Sequence, residues 1–223
     1  MNDPAIRALL VEHQRTTDPA ATIVHEVGMR WHSVRADVVA VDDMLAGYEI
    51  KGDGDTFARL RWQVRGYDGI FDFSTIVVGA RHVAKARVVL PASWGILVAE
   101  EATGAARLHR ARLHRERLAQ RNEGLDRKAL VRQLWRDDAA RMLRAHGVVL
   151  RARALVDELW ERAEALPIDV LREHVRAAVA AHGDAREDLK ERRTEEAAKR
   201  QRTQDAMARF VATLGEKGTA EPC

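Results

Sequence analysis

Val34 to Val41 (Val-Arg-Ala-Asp-Val-Val-Ala-Val) is a run rich in β-branched residues, and Tyr48-Glu49-Ile50-Lys51 follows after a short gap. β-Branched side chains lose rotamer freedom in a helix and pack well on a pleated surface, so both runs read as strands. Asp42, Asp43 and Gly47 punctuate the gap, which makes the pair a hairpin. Besides Arg35 near its start, three charges interrupt its apolar character. Asp37 lies on the first strand; Glu49 and Lys51 are two apart on the second and share a face. An exposed ion pair is worth only about 0–1 kcal/mol, so stability alone gives little reason to put charges there.

The flanking sequence supplies the layers around this hairpin. Asp3-Pro4 is a helix start, with Ile6, Leu9 and Leu10 on one apolar face. Asp18-Pro19 opens either a second helix or a turn into a strand through Ile23 and Val24. After the loop Gly52–Thr56 the spacing of Leu60, Val64, Tyr67 and Phe71 is helical. Ser74 to Val78 is a buried strand, a short helical or irregular piece leads to Pro91, and Trp94 to Ala99 is expected to be the last strand. From Thr103 onward the texture predicts helices: Leu125–His146 closed by Gly147, Val148–Leu166 and Ile168–His182 closed by Gly183; the charged segment Asp184–Leu214 reads as either a solvent-exposed helix or a partly disordered stretch. Gly215–Cys223 reads as a frayed tail. The expected fold is α/β, a mixed sheet flanked by helices over residues 1–101, with a basic α-helical extension over 102–223.

Composition narrows the chemistry. The lone cysteine, Cys223, removes a disulfide scaffold, a Cys-based zinc site and a Cys nucleophile. No apolar run approaches the roughly 18 residues of a membrane helix, and the start lacks the pattern of a secretory signal, so a cytoplasmic protein is expected. The formal charge is +3, and six arginines face one glutamate between Arg107 and Arg121. That stretch is either a solvated Arg-rich helix face or a surface for a polyanion such as DNA. The histidines lack ligand spacing, there is no Walker A loop or nucleophile elbow, and Asp42, Asp43, Asp53 and Asp55 read as turn and cap residues.

If the hairpin strands pair through residues 42–47, Asp37 comes near Glu49 at the open end. Two carboxylates converging there suit a hard divalent cation, Mg²⁺ or Mn²⁺, with the backbone carbonyl of Ile50 as a further ligand. A lysine beside them can orient or help deprotonate an attacking water, a combination suited to phosphodiester hydrolysis. On the following helix Arg59, Gln63 and Tyr67 are successive residues four apart, and could hydrogen-bond a scissile or flanking phosphate.

These residues resemble the PD-(D/E)XK nuclease superfamily, whose fold is restriction-endonuclease-like. The matching elements are Asp37, then Tyr48-Glu49-Ile50-Lys51, then Gln63 and Tyr67, the last two similar to the Gln-x-x-x-Tyr element of its RecB-type branch. Residues 22–99 are most similar to a group of small bacterial members, through the Tyr-Glu-Ile-Lys, Asp-Thr-Phe-Ala-Arg-Leu, Gln-Val-Arg-Gly-Tyr and Trp-Gly-Ile segments. The resemblance implies that Asp37 and Glu49 bind the metal and that Lys51 assists catalysis. Members often add an acidic residue from the first helix, for which Glu26 is the candidate. The proline of the family name is absent, since Arg35-Ala36 precede Asp37.

The expectation is thus a Mg²⁺-dependent nuclease acting on DNA, in repair or foreign-DNA defence. A non-catalytic DNA-binding or repair accessory protein is the alternative. The helical C-terminal region offers a surface for a second copy or a larger nucleic-acid-processing partner. Trp31, Trp62 and Trp94 could stack on bases, with burial the better reading for Trp94.

Overall fold

The computed structural model describes residues 1–29, 34–103 and 109–182. Helix α1 (Asp3–Thr17) comes first, capped by the Asn2 side chain on the Ala5 N–H, one residue earlier than the Asp3-Pro4 signal suggests. Six strands follow: β1 (Thr22–Met29), β2 (Val34–Val41), β3 (Leu45–Lys51), β4 (Phe73–Gly79), β5 (Gly95–Thr103) and β6 (His109–Arg117). They form one sheet in chain order, so the Asp18-Pro19 signal is resolved as a turn into β1. The β1–β2, β2–β3 and β5–β6 pairs are antiparallel; β3–β4 and β4–β5 are parallel. Parallel neighbours need a crossover. Helix α2 (Leu60–Asp68) carries the chain from β3 to β4, and a 3-10 turn with α3 (Val83–Val89) carries it from β4 to β5. β4 is buried along nearly its whole length, as a central strand covered on both faces must be.

Each face of the sheet has its own apolar layer. Ile6 and Leu10 of α1 pack on Val38, Ile50, Val77 and Leu97. The opposite face, including Val39, Ile76 and Trp94, packs against Leu60, Tyr67, Ile70 and Phe71. Gly47 lets β3 lie flat under the Phe71 ring, because a Cβ there would collide with it.

The chain beyond β5 departs from the expected all-helical texture. The Arg-rich stretch from His109 is an edge strand, with Leu113 packed on the α1 face. Its one-sided alternation is too sparse to signal a strand by itself; pairing with the apolar β5 decides it. Residue 101 therefore falls within β5. The expected helix Leu125–His146 is two, α4 (Arg127–Val131) and α5 (Arg136–Ala145), and α5 ends at Gly147 with φ +77°. Next come α6 (Val156–Ala163) and α7 (168–182). Leu130, Leu134, Met142, Leu159, Leu171 and Val175 belong to the same apolar cluster as the sheet. Arg172 of α7 pairs with the buried Asp72, whose other oxygen accepts from the Leu45 N–H at 2.8 Å. The chain divides into two units, Met1–Gly183 and Asp184–Cys223. Trp31, the charged segment Asp184–Leu214 and the tail to Cys223 lie outside the described residues. Among the described residues no helix is long and apolar enough to cross a membrane.

Candidate functional site

The hairpin opens into a fork. β2 pairs with β3 only from Val38 to Val41, opposite Tyr48 to Leu45. Toward its start β2 keeps β1 alone, while Glu49, Ile50 and Lys51 of β3 pair with Ile76, Val77 and Val78 of β4. The inward parity of β1 and β2 also shifts here. Val24 and Val27 share one layer, as do Ala36 and Val39, although each pair is three apart. Glu26, across from Asp37 in register, takes the local strain with φ +55°. Where the ladder stops, the Asp37 side chain replaces it: Oδ2 accepts the Ile50 N–H at 2.7 Å.

Glu49 is the centre of the fork and is 1% exposed. Lys51 Nζ donates to Glu49 Oε1 at 2.5 Å, and Gln63 Nε2 donates to the same oxygen. The Tyr67 hydroxyl lies 3.0 Å from Glu49 Oε2 and 3.0 Å from the Tyr48 carbonyl. Gln63 and Tyr67 are one helical turn apart, so the same face of α2 presents both to the strand. Tyr67 is fixed from behind by Phe71 and Trp94, with ring centroids at 5.0 and 5.1 Å, and Trp94 Nε1 donates to Asp68 at 2.8 Å. The expected buried packing of Trp94 is therefore what the structure has.

Burial, and next the charge of Asp37, pushes the Glu49 carboxyl up to about 7, against the opposing pull of Lys51 and Tyr67. Burial also raises Asp37, opposed by the Ile50 N–H and Arg7. The Tyr67 hydroxyl is pushed well above its ordinary value by burial and by Glu49.

The sequence-derived residues thus separate into three groups. Asp37, Glu49, Ile50 and Lys51 meet at the fork. Gln63 and Tyr67 reach it too, but as partners of Glu49. Tyr67 is 0% exposed, so the expected contact with a phosphate gives way to a positioning role. Gln63 keeps its Oε1 buried and without a donor among the described residues. Arg59 is exposed at the start of α2, where its carbonyl accepts the Gln63 N–H. Glu26 lies on β1 instead of on the first helix and is bound by two guanidiniums, Arg35 and Arg7.

Arg7 is the residue that sequence reasoning missed. From α1 it donates to the Asp37 carbonyl at 2.6 Å, and its Nη2 lies 3.5 Å from Asp37 Oδ1 and 3.2 Å from Glu26 Oε1. Its only local sequence signal is Asp3 one turn earlier. The same arginine lines an open groove of about 680 Å³ along α1, together with Glu12, Arg15 and His25.

Among the described residues no three His, Cys, Asp or Glu side chains converge as a ready metal cage. Two carboxylates suffice for Mg²⁺ when a backbone carbonyl, waters and phosphate oxygens complete the shell. Asp37 and Glu49 fit that role electrostatically, because the charge of one makes ionisation of the other harder and a cation would relieve both.

The basic stretch from Arg107 is only partly neutralised where it is described. Arg112 and His114 face Glu100 at 3.4 and 3.5 Å, Arg87 pairs with Glu116, and Arg117 donates to the Trp94 and Pro91 carbonyls.

No curated protein matches the chain. A solved structure of a protein of unknown function from Silicibacter pomeroyi is 22% identical, with a TM-score of 0.42 over 64% of this chain and 88% of that one. The family described as Bacteriophage P4 protein cII matches residues 1–208, nearly the whole chain, and the protein belongs to that family.

Proposed function

We propose that the chain is a divalent-metal-dependent nuclease of the PD-(D/E)XK type that hydrolyses phosphodiester bonds in DNA, with repair or foreign-DNA defence as its setting. The observation that carries this reading is Glu49: a carboxylate almost wholly buried, held by Lys51, Gln63 and Tyr67, beside a second carboxylate in an opened hairpin. Asp37 and Glu49 would hold Mg²⁺ or Mn²⁺, with the Ile50 carbonyl. The cation would supply charge stabilisation at the phosphate and make a bound water easier to deprotonate. Lys51 orients the attacking water and offsets phosphate charge, and the free Gln63 Oε1 offers that water an acceptor. Tyr67 fixes the rotamer of Glu49. Water adds to phosphorus, the P–O bond to the leaving oxygen breaks, and that oxygen takes up a proton.

The test is cleavage of plasmid and single-stranded DNA with Mg²⁺ or Mn²⁺, with and without EDTA. Glu49→Gln and Lys51→Ala should each abolish cutting while the protein stays folded. Purified protein that cuts nothing under any divalent metal overturns the reading.

A second reading is a DNA-binding or repair accessory protein without turnover. Arg7 favours it, because its guanidinium already supplies positive charge to Asp37 and Glu26. DNA binding that ignores EDTA, with no cleavage, would select this reading.

A further inference from the structure

The inner face of α2 holds Glu49; its outer face carries a different set of residues. Arg61, Trp62 and Arg65 are exposed, and exposed Arg59 stands just before the helix. Trp62 is 60% exposed, an unusual place for the largest apolar side chain. The Arg65 guanidinium lies over its ring, 5.3 Å from the centroid. Phe57 stands three residues before the helix, and Lys85 Nζ of α3 lies 5.3 Å from the centroid of its ring.

This face gathers three such charges around one indole. Among the described residues none of Arg59, Arg61 and Arg65 has a carboxylate partner. On β6, by contrast, Arg112 and His114 share Glu100. A helix of nine residues that gathers unneutralised guanidiniums around an exposed indole is matched to a polyanion with flat, accessible rings. In a duplex the base faces are covered by stacking on neighbouring pairs and leave little for an indole to stack on; unpaired bases offer theirs. Trp62 is also the immediate neighbour of Gln63, the residue that touches Glu49.

We propose that the outer face of α2 is a binding platform for a nucleic-acid strand with unpaired bases, in which one base stacks on Trp62 and Arg59, Arg61 and Arg65 take its flanking phosphates. This deepens the nuclease reading and rests on it for the direction of the strand toward Glu49. It makes the substrate a single strand or an unpaired end.

The platform is tested in the full-length Glu49→Gln background with EDTA present, so that cutting cannot obscure binding. Fluorescence anisotropy is read with labelled 12-mers of single-stranded DNA, single-stranded RNA of the same sequence, and blunt duplex DNA. Trp62→Ala should weaken single-strand binding about tenfold, equivalent to about 1.4 kcal/mol, with less than threefold effect on the duplex. Trp62→Phe, which keeps a stacking ring, should recover most of the loss. Equal losses with DNA and RNA mark a strand-general platform, and a loss confined to one names the natural strand; either result supports the proposal. Unchanged single-strand binding in Trp62→Ala, equal losses on duplex and single strand, or no binding by the parent protein overturns it. Wild-type cleavage, measured separately, keeps the two claims apart. A Trp62-dependent single-strand binder that never cuts sinks the nuclease and leaves the platform. An active nuclease whose Trp62→Ala variant binds and cuts normally sinks the platform alone.

Discussion

Glu49→Gln is expected to stabilise this protein above pH 7, although it should destroy the activity proposed for it. The folded carboxyl titrates at about 7 and its ordinary value is 4.5. Below 4.5 the group is protonated in both states and contributes nothing to the difference. Between 4.5 and 7 the folded state binds more protons than the unfolded one, so stability falls as pH rises. Above 7 the loss is complete and amounts to about 3 kcal/mol, at about 1.4 kcal/mol per pKa unit. The value near 7 already contains the attraction of Lys51, so the loss is net of that ion pair.

The replacement amide is neutral throughout and keeps the shape. Its oxygen can accept from Lys51 and Gln63, and its NH₂ can donate to the Tyr67 oxygen while the Tyr67 proton goes to the Tyr48 carbonyl. Urea denaturation in EDTA should place the variant within about 1 kcal/mol of wild type at pH 5, and about 3 kcal/mol above it at pH 8. In melting temperature the gap at pH 8 is about 6–12 °C for a chain of this size. Asp37 is raised too, chiefly by its own burial, and that part is common to both proteins and cancels. A variant that is less stable than wild type at pH 8, or a gap that does not change with pH, refutes the reasoning. Burial would then not be what controls Glu49.

Mn²⁺ should raise the melting temperature of wild type at pH 8 and leave Glu49→Gln unmoved; at a hundredfold excess over Kd the gain is about 2.7 kcal/mol. Equal shifts in the two proteins would put the metal elsewhere. Tyr67→Phe removes the hydroxyl that lowers the Glu49 pKa, so it should destabilise by about 1–2 kcal/mol in urea and move the acid limb of the cleavage profile to higher pH. Asp72→Ala strands the Leu45 N–H and leaves the Arg172 guanidinium only the exposed Asp169, at a cost of about 3 kcal/mol in urea denaturation. Leu130→Ala, 0% exposed in the layer beneath the sheet, should cost about 2–5 kcal/mol in one cooperative transition. A separate early transition would mean that the helices after β6 fold apart from the sheet.

The hairpin, α2 and β4 were legible because their signals are local. β-Branched runs, a turn cluster and a 3.6-residue stripe each report on a few neighbours. The same locality explains why Asp37, Glu49, Lys51, Gln63 and Tyr67 could be grouped before any coordinates: a hairpin and the next helix bring them together within thirty residues. β6 was missed because its strand character comes from β5, and six arginines in fifteen residues say nothing about which partner they will meet. Arg7 was missed for a related reason. Its contacts with Glu26 and Asp37 depend on where α1 crosses the sheet, which is a tertiary fact. For Tyr67 the direction of the role was not legible: helix periodicity gives the face it shares with Gln63, and only the packing of Phe71 and Trp94 decides that Tyr67 is sealed inside.

Those placements bear on why Glu49 is where it is. Burying an ion pair rarely stabilises a fold more than apolar residues of the same volume would. β3 is apolar at Leu45 and Ile50, and the layer facing Glu49 is aromatic, so a leucine there would pack at no electrostatic cost. Instead the chain surrounds a carboxylate that resists ionisation with three donors that hold it in one rotamer, and sets Asp37 where its charge makes ionisation harder still. On the reading proposed above, such an arrangement would become favourable on binding a cation. If Glu49→Leu proves more stable than wild type and binds and cleaves DNA as well, that argument is wrong and the fork is only a feature of the core.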